Sequence, residues 1–225
     1  MSRRPRAAAG LAGALFALAA CSGGEPAGSS TADGTATCAW GEAEPGNPYL
    51  VEVDPPAEEV PAEGTTDLLV TTNLGELTVT LDRAATPCAA ASLAHLAGQG
   101  FFDDSPCHRQ VDGEGLKVLQ CGDPTGTGAG GPTYTSPTEV TGEETYPRGT
   151  VAMANSGRGV DGSQFFLVWG DSRLPPDYTV VGTVDEAGLA VLDEVAEGGN
   201  DGSLEPSPGG GAPTVPVTVE SATIG

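Results

Sequence analysis

Basic residues are scarce. Nine Lys and Arg face 31 Asp and Glu, for a formal net charge of -22. Binding to nucleic acid requires clustered Lys and Arg to meet phosphates, so this balance excludes it as a partner class. There are two histidines, His95 and His108, and they are not at ligand spacing. Five cysteines include no C-x-x-C pair, which argues against a zinc site or a thioredoxin-like redox pair. No G-x-S-x-G nucleophile elbow and no Walker lysine occur. The glycine run Gly122–Gly131 contains Pro124 and is not followed by a helical period, so it reads as a wide loop and not as a dinucleotide fingerprint. No metal or cofactor is expected. Aromatics make up 5% of the chain, so the core must rest on Val, Leu and Ala.

Glycine and proline are abundant instead, with 34 and 19 residues among 225. That suits short strands joined by many turns. Arg3, Arg4 and Arg6 precede an apolar run from Ala7 to Ala20, too short for a membrane span and suited to a signal-peptide core. The run ends in Leu18-Ala19-Ala20-Cys21, which resembles a bacterial lipobox. On this reading residues 1–20 are removed, Cys21 carries lipid, and the protein is extracytoplasmic and anchored to the cell membrane. Residues 21–64 hold nine acids and no Lys or Arg, and read as an acidic flexible tether. Two apolar interruptions, Cys38–Trp40 and Tyr49–Val51, are candidates for docking back on the domain. With Cys21 set aside, Cys38, Cys88, Cys107 and Cys121 are expected as disulfides outside the cytoplasm, with three pairings open.

The folded domain is expected over residues 65–225. Leu68–Thr72 and Glu76–Leu81 read as a hairpin, the second strand alternating at period two. Thr86 is a helix N-cap with Pro87 at the first helical position, and Ala89, Leu93, Leu96 and Ala97 share one helical face up to Gly98. Strands are expected at 115–120, 149–154, 164–169, 179–184 and 215–224, and a second helix over 187–197. About eight strands and two helices suggest a closed barrel with helical caps. A set of polar residues, Arg109, Gln120, Asn155 and Gln164, stands beside Met153, Phe166 and Leu174 and includes no nucleophile or metal ligand.

Several stretches in order resemble the cyclophilin pattern. Cys107-His108-Arg109 and Gln120-Cys121-Gly122-Asp123 resemble "HR" followed by "QGGD". Gly128–Gly131 resembles "GTGG", and Met153-Ala154-Asn155-Ser156 resembles "MANAG". Gly162–Phe166 matches "GSQFF" in full, and Tyr178–Gly182 resembles "HVVFG". The resemblance implies a mainly β fold, an eight-stranded antiparallel closed barrel capped by two α-helices. It also implies peptidyl-prolyl cis-trans isomerase activity on proline-containing polypeptides, without a cofactor or an obligate oligomer; a monomer is expected. Arg109, Gln120 and Asn155 would be the catalytic group. Lys117, Val118, Gly128, Met153, Ala154, Ser156, Gln164, Phe166, Leu174 and Tyr178 would bind substrate.

The sequence departs from the family in three places. Lys117 stands where an aromatic residue usually lines the proline pocket, unless Gly113–Gly115 shifts the alignment. Arg173 replaces a Trp that contacts cyclosporin, so weak inhibition by that drug is expected. Tyr178 replaces a pocket histidine. The lysine leaves an alternative reading, a non-catalytic module of the cell envelope that grips proline-containing loops.

Overall fold

The computed structural model describes residues 34–225. The leader and Cys21 lie outside the described residues. Four short strands come first: β1 (Thr35–Thr37), β2 (Gly41–Glu42), β3 (Leu50–Val51) and β4 (Glu59–Pro61). Then follow β5 (Thr65–Thr72), β6 (Gly75–Asp82), helix α1 (Pro87–Gly98), β7 (Ser105–Pro106), β8 (Arg109–Gly113) and β9 (Leu116–Cys121). The second half holds β10 (Gly131–Pro132), β11 (Tyr134–Pro137), β12 (Thr150–Asn155), β13 (Val160–Gly170), β14 (Val180–Val184), helix α2 (Glu186–Gly198) and β15 (Thr218–Ile224).

Alternation in the sequence becomes the two faces of the sheet. Leu68 and Val70 of β5, and Leu77, Val79 and Leu81 of β6, turn inward beside Leu119, Val151, Met153, Phe165 and Leu167. Each fully buried Leu or Val of this kind contributes roughly 1.5–3 kcal/mol. The helices cover this core. α1 buries Ala89, Leu93, Leu96 and Ala97, the face expected from the sequence. α2 buries Leu192 and Val195, with Leu189 packed at the margin. Asp185 caps α2 by accepting from Gly188 N at 2.9 Å. Thr86 sits at the N-cap of α1 but makes no side-chain cap; its hydroxyl donates to Asp82 O at 3.2 Å. The first-turn amides of α1, which have no partner within the helix, are met from a distance by Glu139, whose carboxylate accepts from Cys88 N at 3.1 Å and Ala89 N at 2.8 Å.

The expectation of eight strands in a closed barrel is corrected. Among the described residues the main sheet is antiparallel, curled and eleven-stranded, and its ladder does not close. The order runs β2-β11-β13-β12-β14-β6-β5-β15-β7, with β9 branching from β13 and β8 from β9. The extended run 105–113 changes partners midway. Ser105 and Pro106 pair with β15, whereas Arg109–Gly113 pair with β9. The ladder is therefore interrupted at Cys107–His108, at the edge of the candidate site.

Residues 34–64, within the segment expected as a flexible tether, lie against the domain. β1 pairs with β4, β2 with β11, and β3 runs parallel to β10. Cys38 is bonded to Cys88 on α1, within a small core of Ala36, Val60 and Ala62. Trp40 meets the Tyr134 ring edge-on at 5.7 Å. The acids of this segment, Glu42, Glu44, Glu52, Asp54, Glu58, Glu59 and Glu63, stay exposed. The few apolar residues and one covalent bond are enough to dock an otherwise charged segment. The second disulfide joins Cys107 to Cys121.

Candidate active site

Three neighbouring strands set the site in register. Arg109 of β8 lies directly opposite Gln120 of β9, and Gln120 opposite Phe166 of β13. Directly opposed residues point to the same side of a sheet, so the three side chains form a row on the face away from the main core. Val111, Val118, Ala152, Phe166 and Val168 form a second apolar cluster on that face, with Tyr146 at its base.

Over this cluster lies a cleft of about 690 Å³. Arg109, Val118, Gln120, Gly128, Ala154, Asn155, Phe166, Leu174 and Tyr178, all expected from the sequence, line it together. The rings of Phe166 and Tyr178 meet edge-on at 5.6 Å. Buried Tyr146 fixes the loop that carries Leu174 and Tyr178: its hydroxyl accepts from Tyr178 N and lies within 3.1 Å of Tyr178 O. An adjoining groove shares Gln120, Gly128, Ala154 and Asn155 and adds Ser156 and Gln164. Asn155 donates through its side chain to Asp177 O at 2.9 Å, which holds the strand end that separates the two hollows.

Two expected substrate contacts are not in either hollow. Met153 is fully buried in the main core, because it alternates with Ala152 and Ala154 and so faces inward. Lys117 alternates with Leu116 and Val118 in the same way. Its ammonium lies over the Trp169 ring, 5.7 Å from the centroid, and Leu116 lines the cleft in its place. Leu116 was legible as a lining residue from the two-residue spacing 116, 118, 120. His108, Gly126 and Thr127 also line the cleft, as do Ser203, Leu204, Pro208 and Ala212 from a distant loop. No sequence signal pointed to that loop.

A chain of polar contacts backs the row. Arg109 Nη1 donates to Gln120 Oε1 at 3.0 Å, and Gln120 Nε2 to Gln164 Oε1 at 2.8 Å. Gln164 Nε2 donates to Gly128 O at 3.1 Å and Gly130 O at 2.9 Å. Those two carbonyls belong to the glycine loop, which is wound around the buried carboxylate of Asp123. This side chain accepts from Thr125 N at 2.8 Å, Thr125 Oγ1 at 2.7 Å, Gly128 N at 2.7 Å and Gly130 N at 3.0 Å. A Cβ at position 130 would fall 2.0 Å from Asp123 Oδ1, so only glycine fits there. Burial works to raise the Asp123 pKa, but the bonds from Thr125, Gly130 and Gly128 outweigh it and hold the carboxyl below its ordinary value.

Burial lowers the pKa of Arg109 from its ordinary value, while Tyr178 and Glu205 work against that shift; the guanidinium stays charged near neutral pH. His108 is lowered from 6.5, first by burial and further by the charge on Arg109, with Asp123 opposing. It is therefore mainly neutral near pH 7. The site thus offers a fixed cation beside an apolar hollow. It can bind, desolvate and polarise a neutral group without breaking a bond.

Comparison with known proteins agrees with this arrangement. Residues 68–224 match the family model described as cyclophilin type peptidyl-prolyl cis-trans isomerase. The chain is 44% identical over 186 residues to a probable peptidyl-prolyl cis-trans isomerase B of Mycobacterium leprae, covering 76% of this chain and 62% of that protein. It is 42% identical to its namesake in Mycobacterium tuberculosis, over 68% of this chain and 52% of that one. The chain thus spans between half and two thirds of the length of these relatives. A crystal structure of a Cryptosporidium parvum cyclophilin type peptidyl-prolyl cis-trans isomerase superposes with a TM-score of 0.60 at 26% identity, covering 72% of this chain and 98% of the other. A second structure of that protein, obtained in the presence of the dipeptide Ala-Pro, gives a TM-score of 0.58. With the family model spanning the sheet, both helices and the cleft, this chain belongs to the cyclophilin type peptidyl-prolyl cis-trans isomerase family.

Proposed function

We propose that this chain catalyses peptidyl-prolyl cis-trans isomerisation in polypeptides folding outside the cytoplasm, and that lipid on Cys21 holds it at the membrane. The observation that carries the activity is the row Arg109–Gln120–Phe166, a cation and an aromatic ring fixed by strand register on either side of an amide. Rotation about a peptide C–N bond is slow because resonance must be lost, with a barrier of about 18–20 kcal/mol. An apolar hollow of Val118, Phe166 and Leu174 would take the proline ring and strip water from the amide. As the bond twists, its nitrogen becomes pyramidal and gains a lone pair. Arg109 would donate to that region more strongly in the twisted state than in either planar state, which is what lowers a barrier. Gln120 would orient Arg109 and meet a substrate carbonyl. Asn155 would bind the substrate backbone as an added strand, and Ala154, Ser156, Gly128 and Gln164 would contact residues flanking the proline in the second groove.

The exported location rests on the lipobox-like leader and on two disulfides, which persist in oxidising compartments. The alternative of a binding-only module rested on a lysine in the proline pocket; Lys117 instead packs on Trp169. The test is cis/trans exchange of an Ala-Pro peptide followed by NMR, with the full chain and its Arg109→Ala form. Acceleration by the intact chain, reduced by about 10²–10³ in the variant, is expected for loss of a preorganised donor. Peptide binding without acceleration would overturn the catalytic reading.

A further inference from the structure

The cation of the site is already engaged by another part of the chain. Beyond α2, residues 199–214 form a strap that crosses β8. Its stem is a short antiparallel pairing: Asn200 bridges Pro213, and Asp201 N donates to Ala212 O at 3.0 Å. Its tip is tied internally. Leu204 N donates to Gly210 O and Gly209 N to Leu204 O, both at 3.0 Å, and Glu205 Oε1 accepts from Gly210 N at 2.6 Å. The strap docks through a reciprocal pair, Gln110 N to Gly211 O at 2.8 Å and Gly211 N to Gln110 O at 3.1 Å. Gly210 has a φ of +77°, and a Cβ there would lie 2.1 Å from Gln110 O, so this close approach requires glycine.

Docking aims two carbonyls at the guanidinium. Arg109 Nη2 donates to Pro208 O and Nε to Gly209 O, each at 2.9 Å. With Nη1 on Gln120, every nitrogen of the guanidinium has a partner within the chain. Pro208 O is a prolyl backbone carbonyl, the same acceptor that a proline-containing substrate brings. Pro208 also walls the cleft, beside Leu204. The tip is weakly held otherwise. Ser203, Glu205, Pro206, Ser207 and Pro208 are exposed, so lifting it uncovers little apolar surface.

We propose that residues 203–210 are a built-in competitor of the substrate, with the Pro208 and Gly209 carbonyls occupying the Arg109 donors that the substrate backbone must take over. The proposal rests on the reading of Arg109 as the group that engages substrate. Substrate and strap compete for one cation, and the strap is covalently supplied at high effective concentration. The apparent affinity for substrate is reduced by the fraction of molecules with the strap lifted. Release of the strap therefore acts on KM and leaves kcat largely unchanged.

The test is excision of the tip in the full chain. The amide nitrogen of Gly202 lies 2.6 Å from where a Cβ on Gly211 would sit, so the stem ends are adjacent and a two-residue Asn-Gly turn can replace 203–210. Both the dissociation constant of an Ala-Pro peptide and the exchange rate are read by NMR. A strap closed in nine molecules of ten predicts about tenfold tighter binding and about tenfold higher kcat/KM on excision. A synthetic peptide of residues 203–210 should then inhibit the excised protein. Unchanged or weaker binding, or a fall in kcat, would overturn the proposal and make the strap a support for Arg109. Glu205→Ala, which removes the tie to Gly210 together with the carboxylate whose charge acts on Arg109, keeps the full length and should shift binding in the same direction; it decides the matter if the excised chain does not fold. Tighter binding with no acceleration in either form would uphold the strap and remove the isomerase reading. Equal binding and equal acceleration in both would do the reverse.

Discussion

Asp123→Asn probes the link between the glycine loop and Arg109 with almost no change in volume. In the native chain the Asp123 Oδ2 atom accepts from Gly128 N at 2.7 Å and Gly130 N at 3.0 Å, while Oδ1 serves Thr125. An asparagine can keep its oxygen toward Thr125. Its amide nitrogen then faces two backbone donors and accepts from neither. Hydrogen bonds to a charged group contribute about 1.5–3 kcal/mol each, so losing two, with partial relief as the loop opens, should cost about 3 kcal/mol. Gly128 and Gly130 also supply the carbonyls that hold Gln164, and through it Gln120 and Arg109. Asp123 is thus a positioning residue, and kcat/KM should fall about tenfold, roughly the effect of losing one good hydrogen bond of orientation. Urea unfolding at pH 7 measures the first effect and peptide exchange by NMR the second. The pH dependence separates this from generic damage. The Asp123 pKa is depressed below 3.8, so its contribution to stability is present above that value and is lost as pH falls through the lower folded value. The gap between the two chains should therefore close only in strong acid. An asparagine chain within 0.5 kcal/mol of the native one, or one that is destabilised yet isomerises at the native rate, would refute the reasoning.

Gln110 is fully buried, neither end of its amide is hydrogen-bonded among the described residues, and it stands opposite Leu119 of the main core. Gln110→Leu should raise stability by about 1–2 kcal/mol, read as a higher urea midpoint, since it removes an uncompensated buried amide; a loss of stability would mean that the amide has a partner. Glu139 is pushed up to about 7, by burial first and also by the Asp161 charge, against the amides of Ala89 and Cys88. Its raised folded value means the native state holds a proton that the unfolded chain releases near 4.5, so this contribution falls as pH rises from about 4.5 to about 7. Glu139→Gln should flatten that part of the stability profile, and an unchanged slope between the two chains would discard the assignment.

Much of this was legible along the chain. The β5–β6 hairpin and both helices follow from period-two and helical patterning, which depends only on neighbours a few residues apart. The same periodicity argues against Met153 and Lys117 as cleft residues and for Leu116, since a strand cannot put adjacent side chains on one face. The family motifs assigned those roles by position, and strand alternation corrects them. The docking of residues 34–64 was legible only at its two apolar interruptions, Cys38–Trp40 and Tyr49–Val51, both of which meet the domain. Their charge suggests a solvated segment, yet a disulfide and a handful of apolar contacts at Ala36, Trp40 and Val60 hold them to α1 and Tyr134.

By itself, the sequence determined a mainly β chain with two helices, a strongly acidic composition, and the candidate residues Arg109, Gln120, Asn155 and Phe166, which the fold brings to one cleft and its adjoining groove. Tertiary structure alone decided which cysteines pair, where the sheet is interrupted at Cys107–His108, and that residues 203–210 return about a hundred positions along the chain to meet Arg109. Local pattern carries no information on such encounters. They depend on where a glycine-rich loop finds acceptors and donors of matching geometry, and only the folded arrangement of β8, β9 and α2 sets that.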